Sequence, residues 1–237
     1  LIAGSAVTYR LMMMYKSVIP VGIMTGSWTL PEARGQGLFS VVIQQSLELV
    51  KLKNGRYLLA FVISENASCR RLNDAGSLMV PTRYLFSSLS SGKSPPQKKI
   101  VQEPMNQKTL ENIFLIFKEN RKNSHIFFNY SFQQWTKQYS ESVDPISIWT
   151  VGENVAVVEE KKDIIKILFC SGPLGEPLEE NVTHLASFFR CEKGKESMYF
   201  SMNRKEIAYL EGEGFSSKMG YLCILSGEQQ MEINKGD

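Results

Sequence analysis

The residues best placed to do chemistry form the run Arg34-Gly35-Gln36-Gly37-Leu38-Phe39. Two glycines one residue apart let a chain turn tightly and leave its backbone amides uncovered. Uncovered amides at the start of a helix attract an anion, and a guanidinium beside them adds a fork that matches phosphate. The turn therefore suits a pyrophosphate. Its spacing is neither the GxGxxG of dinucleotide-binding turns nor the GxxxxGK[ST] of a P-loop, so nicotinamide cofactors and ATP are weakly supported. Taken alone, RGQG also reads as an ordinary surface turn.

The elements on either side narrow the choice. Ala6 to Met14 and Val21 to Thr29 read as strands, with a turn at Lys16-Ser17 and Pro31 closing the second. Leu38 to Lys51 carries apolar residues at a helical period, and Asn54-Gly55 ends it. Tyr57 to Ile63 (YLLAFVI) is a nearly continuous apolar run, as in a buried central strand. A short helix starting at Glu65 to Ser68 and ending at Gly76 is expected next, then a strand from Val80 to Phe86. Residues 87–99 are rich in Ser, Pro and Lys and read as a linker. Helices are expected at 107–120, with Leu110, Ile113, Phe114 and Phe117 on one stripe, and from Ser131 to Tyr139. After Pro145 the order strand, strand, glycine-containing loop, helix, strand, helix, strand recurs and ends at Met219 to Leu225. We read two copies of one α/β unit, the second diverged.

In this setting the chain resembles the GCN5-related N-acetyltransferases. Arg34 and Gly37 match the family pattern [Arg/Gln]-x-x-Gly-x-[Gly/Ala], with Phe39 at the position of the usual small residue. The variant RGxGLF is similar to the branch with two linked acetyltransferase-like domains. TLPEARGQGL resembles the exit of the family's fourth strand, and Asn66-Ala67-Ser68-Cys69 resembles its Asn-x-x-[Ala/Ser]. In the second copy, Asn203 to Leu210 with Gly214-Phe215 resembles the same late helix, while GPLGEP stands where the phosphate turn would be.

The resemblance implies an α/β (α+β) fold of two GNAT-like mixed-sheet domains. Residues 1–86 would be an acetyl-CoA-binding domain lacking its N-terminal part, 87–105 a linker, and 106–237 a degenerate second domain with no pyrophosphate nest at Gly172 to Glu176. It further implies that the backbone of Ser27, Trp28 and Thr29 holds the pantetheine arm like an added strand. The amides of Gly35, Gln36, Gly37, Leu38 and Phe39, bordered by Arg34, would hold the pyrophosphate. Asn66 and Ser68 would lie near the arm or its thiol end. An amide near Thr29 or Leu30 would polarise the thioester carbonyl. A side chain at Gly37 is expected to crowd the turn.

No acid or base is assigned. The family often places a tyrosine four residues before the glycine of the late helix; here that position is Leu72, followed by Asn73, and in the second copy Leu210, beside Tyr209. Glu32, Glu65 or a water chain stay open as the base. Trp28 either lines the acceptor cleft or packs in the core. The implied activity is transfer of an acetyl group from acetyl-coenzyme A to an amine of a small-molecule or peptide acceptor. The alternative is a catalytically inactive coenzyme-A-binding regulatory or interaction protein, and a third reading is a scaffold without cofactor.

Composition fits. The 237 residues, 43% of them hydrophobic, can bury a core, and a net charge of +3 is too small to argue for nucleic acid. No CxxC pair exists and His125 and His184 are far apart in sequence, so no metal is expected. Cys69, Cys170, Cys191 and Cys223 read as reduced, which suits a cytoplasmic protein. The apolar run at the start is interrupted by Thr8, Tyr9 and Arg10; it reads as neither a membrane span nor a signal peptide. The sequence leaves the oligomeric state open.

Overall fold

The computed structural model describes residues 1–87, 98–121, 126–171 and 178–227. Most of the expected linker, His125 and the GPLGEP segment with its expected lack of a phosphate nest lie outside the described residues. The elements are β1 (Ala3–Met14), β2 (Ser17–Thr29), a 3-10 turn (Pro31–Ala33), α1 (Leu38–Leu52), β3 (Tyr57–Ile63), α2 (Ala67–Asp74), β4 (Leu78–Ser87) and β5 (Ile100–Glu103). They continue with α3 (Gln107–Arg121), β6 (Ile126–Phe128), α4 (Phe132–Ser140), β7 (Ile146–Val151), β8 (Asn154–Glu160), β9 (Ile164–Ser171), α5 (Leu178–Lys193), β10 (Glu196–Ser201), α6 (Arg204–Gly212) and β11 (Phe215–Ser226).

The chain forms two compact units. The first takes the described residues within 1–82, 125–129 and 219–237. Its strands run in the order β4, β11, β3, β2, β1, β6. β2 and β3 are parallel, as the α1 crossover between them requires, and the neighbouring pairs β1–β2, β3–β11 and β1–β6 are antiparallel. β3 is thus a central strand, and its apolar run serves both faces. Leu58, Ala60 and Val62 join a core with Val42, Ile43, Leu47 and Val50 of α1 and Cys69 and Leu72 of α2. Leu59 joins Ile19 and Val21 on the other face.

β6 was not expected from the sequence: Ile126 to Phe128 form a short strand that pairs with Met12 to Met14, and Phe128 packs against the Ile19–Leu59 cluster. β2 starts at Ser17, before the expected Val21; Pro20 lies within the strand opposite Leu11, and its carbonyl accepts from the Arg56 amide at 2.9 Å. β5 escaped the sequence reading because four residues beside a polar stretch carry little periodicity.

The second unit takes the described residues within 83–124 and 130–218. Its strands run in the order β5, β7, β8, β9, β10, with β9 and β10 parallel around the α5 crossover. Alternation sends Trp149, Ala156 and Val158 toward α5 and α6, and Ile148 and Val157 toward α3 and α4. Each unit is therefore a mixed β-sheet flanked by helices.

Candidate functional site

β2 sets up the site. Its antiparallel register with β1 slips between Gly4 and Ala6, so that Gly26 and Ser27 stand opposite Ser5. Gly26 has φ of +59°, the left-handed region that glycine enters without a Cβ penalty. Such a bulge bends a strand and increases its local twist. On the other side, β2 pairs with β3 only from Val21–Tyr57 to Met24–Ala60. Among the described residues no later pair joins Thr25–Thr29 to Phe61–Ile63, and the two parallel strands separate where the bulge begins.

The space between them is a cavity of about 880 Å³ within the first unit. Met24 to Thr29 line one wall and Ala60 to Val62 the other; Ala33, Arg34, Gly35, Gly37, Leu38 and Phe39 close one end, and Asn66, Ala67, Ser68, Arg71 and Leu72 of the α2 region complete it. Thus Ser27, Trp28, Thr29, Arg34, Gly35, Gly37, Leu38, Phe39, Asn66 and Ser68 all come together from three separate sequence segments. Gln36 does not line the cavity: its Nε2 donates to the Glu32 carbonyl at 3.4 Å.

The glycine turn has the geometry that its composition demands. Gly35 and Gly37 have φ of +81° and +75°, and Gly37 is the residue that precedes α1. A Cβ built on either glycine meets no protein atom within 4 Å. The expected crowding at Gly37 is therefore corrected: backbone conformation, not space, demands glycine. Among the described residues, the amides of Gly35, Gln36, Gly37, Leu38 and Phe39 donate to no carbonyl; the first bonded amide of the helix start is Ser40, to Gly37 at 3.0 Å. The half-buried Phe39 packs against the Met24–Leu72 core, which explains how a large side chain is accommodated where a small one is usual.

Backbone alternation decides which strand-end amide is available. The Leu30 amide donates to the Ile2 carbonyl at 2.9 Å, so it is committed to β1, and its expected alternative role is removed. In an antiparallel ladder the preceding residue then turns its N–H and C=O away from that partner, here toward the gap. Thr29 is that residue. Its carbonyl accepts from Arg34 Nε at 3.4 Å, which tethers the arginine beside the strand end.

Trp28 is 40% exposed, with its indole against Gly4: a Cβ there would approach Nε1 to 3.3 Å. It belongs to the cavity wall rather than to the core. Asn66 precedes α2 without capping it by its side chain, so the exposed amide group is not consumed by the helix. Ser68 is half-buried. Glu32 and Glu65 are exposed and do not line the cavity; Leu72 is buried in its floor. Among the lining residues the only ionisable side chains are Arg34 and Arg71. Sequence reasoning missed Arg71. The signal was present: it lies three residues after Ser68 and four after Ala67, on the same helical face. Cys69, by contrast, faces the core, where burial pushes its thiol up and away from the reactive thiolate.

In the second unit, β9 and β10 pair from Ile164–Glu196 to Ile167–Tyr199. Tyr199 of the last pair and Cys170, three residues past it on β9, are both buried. The Tyr199 hydroxyl lies 3.3 Å from the Glu206 carboxylate, which also accepts from Ser201 Oγ at 2.7 Å.

No protein-family profile matches the sequence, and no curated protein matches it. Solved structures do. Saccharomyces cerevisiae N-myristoyltransferase with bound myristoyl-CoA aligns with a TM-score of 0.70 at 10% identity, over 95% of this chain and 64% of that one. A probable N-acyltransferase from Enterococcus faecalis V583 aligns with a TM-score of 0.60 at 12% identity, over 94% and 58%. A GCN5-related N-acetyltransferase from Kribbella flavida gives 0.59 at 9% identity, over 95% and 57%. The chain thus spans less than two thirds of the length of these three proteins. At such identities the likeness is one of fold alone, shared with these acyltransferase structures.

Proposed function

We propose that the first unit binds an acyl-coenzyme A, with acetyl-CoA as the donor, and that the chain transfers the acyl group to an amine. One observation carries the proposal: β2 and β3 separate into a gap that ends at a helix start with five uncommitted amides. Pantetheine is an extended chain with two amide groups, so a separated strand edge can pair with it as with an added strand. The turn at Gly35 to Phe39 and the tethered Arg34 suit the pyrophosphate. The Thr29 amide, turned into the gap, suits the thioester oxygen as it gains charge. A neutral amine then attacks the carbonyl carbon, a C–N bond forms, the C–S bond breaks, the coenzyme A thiolate leaves, and the amine loses its proton to water.

We assign the second unit to a diverged copy of the same domain, joined by a linker after the first, because each unit places one helix between two parallel strands. Buried Tyr199 and Cys170 at the end of the β9–β10 pairing argue against a second cofactor gap. The free cysteines suit a reducing, cytoplasmic setting.

A second reading is favoured by a specific observation. Among the described lining residues there is no Asp, Glu, His, Cys, Lys or Tyr to serve as acid or base, as expected of a coenzyme A sensor that does not turn over. Two assays separate the readings. Calorimetric titration compares acetyl-CoA, myristoyl-CoA and a pantetheine analogue lacking the pyrophosphate. Affinity should drop sharply for the analogue, Gly37→Asp should abolish binding of acetyl-CoA, and Arg34→Ala should weaken it by about tenfold. Thiol release in the presence of amines then reports turnover. Binding without release favours the sensor; no binding of any coenzyme A species overturns both readings.

A further inference from the structure

Arg71 has no role in the reading so far. It lines the same cavity as Arg34 but belongs to α2, not to the glycine turn. Its side chain is 49% exposed. The carboxylate nearest to it, Asp74, is 3.9 Å away and 54% exposed, at the outer limit of an ion pair and one turn along the helix. Among the described residues no carboxylate lines the cavity. The cavity therefore presents two separate positive charges, one at each of two elements, with no internal anion to neutralise either. A ligand complementary to that arrangement carries two separated anionic groups.

We propose that Arg71 recognises the ribose 3′-phosphate of coenzyme A and so makes this site selective for coenzyme A thioesters over thioesters carried on phosphopantetheine alone. The inference rests on the proposed acyl-coenzyme A binding. The uncommitted amides of the glycine turn and Arg34 already suffice for the pyrophosphate. Arg71 belongs to another lining element, α2, and is half in solvent, where a long guanidinium can follow a second, terminal phosphate. Phosphopantetheine ends in a single phosphodiester when attached to a carrier protein and offers Arg71 nothing to bind. Coenzyme A offers both anions.

The test uses calorimetry on the whole chain with three probes: coenzyme A, 3′-dephospho-coenzyme A and 4′-phosphopantetheine. The wild type should bind coenzyme A about tenfold more tightly than the dephospho form at low ionic strength, and the ratio should shrink as salt is raised. In Arg71→Ala the ratio should collapse toward one, with affinity for dephospho-coenzyme A unchanged; Arg71→Lys should recover part of it. Arg34→Ala should lower affinity for both and leave the ratio intact. Equal wild-type affinity for the two forms would overturn the assignment of Arg71 and leave the acyl-coenzyme A reading standing. An equal loss for both in Arg71→Ala would also overturn it, by placing the residue on the pyrophosphate. A wild type that binds none of the three probes would overturn the acyl-coenzyme A reading itself, and this inference with it.

Discussion

Replacing Gly37 separates backbone conformation from charge, because the two act in opposite directions. Gly37 has φ of +75° and open space where a Cβ would stand. In Gly37→Ala the chain must either hold alanine in the left-handed region, at about 1–2 kcal/mol, or relax the turn. For a chain of this length 1 kcal/mol corresponds to about 2–4 °C, so the melting temperature without ligand should fall by about 2–8 °C. Gly37→Asp should be milder in that assay. Asp enters the left-handed region more readily, and a carboxylate at the start of α1 gains about 0.3–1 kcal/mol from the helix dipole. In binding the order reverses. The aspartate charge then occupies the place proposed for a pyrophosphate, and acetyl-CoA affinity should be lost, whereas Gly37→Ala keeps a weakened site. Gly37→Asn has the shape of the aspartate without its charge and should retain measurable affinity. Differential scanning fluorimetry and calorimetric titration on the four proteins read both orders. Equal affinities for the asparagine and aspartate variants would refute the anion site. An unchanged melting temperature in Gly37→Ala would refute the conformational argument.

Two further outcomes follow from packing. A Cβ at Gly22 would lie 2.2 Å from Val50 Cγ2 and 2.9 Å from Val7 Cγ1, so Gly22→Ala should destabilise the chain by about 1–3 kcal/mol, and Val50→Ala in the same protein should restore part of the loss in urea unfolding. Exposed Cys191 should be the first thiol alkylated by iodoacetamide in the native protein at neutral pH, because burial pushes Cys170 up to about 12 and Cys223 up to about 11; peptide mass spectrometry showing Cys170 modified first would contradict the packing of the second unit.

Local signals carried the sequence reading as far as they reach. α1 and β3 were legible because amphipathic period and an unbroken apolar run are properties of adjacent residues. The glycine turn was legible because only glycine enters the left-handed region freely, so Gly35 and Gly37 declare their backbone. Pairing partners were not legible. Sequence order puts the final strand with the second copy, yet β11 pairs with β3 from Gly220–Ile63 to Ser226–Tyr57. That register joins positions far apart along the chain, and no local period encodes it. β6 was hidden for the same reason: three residues become a strand only when β1 supplies the partner.

The site shows the same division, and it bears on catalysis. Residue types announced the turn, but the bulge at Gly26 and the loss of the Leu30 amide to Ile2 appear only once β1 is paired. With Leu30 committed, Thr29 is left as the strand-end amide facing the gap, and among the described residues no Asp, Glu, His, Cys, Lys or Tyr lines the cavity. Proton transfer by a positioned side chain contributes about 10²–10⁴ in rate, whereas loss of an anion-stabilising donor costs about 10²–10³. If the chain is an enzyme, its rate should therefore depend on how much of the acceptor amine is already neutral. Turnover would rise with pH up to the amine's own pKa, and an aromatic amine of low pKa would outpace an alkyl amine at neutral pH. A coenzyme A sensor would release no thiol from either amine at any pH while binding acetyl-CoA throughout. A rate that levels off at one enzyme-borne pKa for both amines would instead require a titrating side chain near the Thr29 amide, and the account of this cavity would have to be withdrawn.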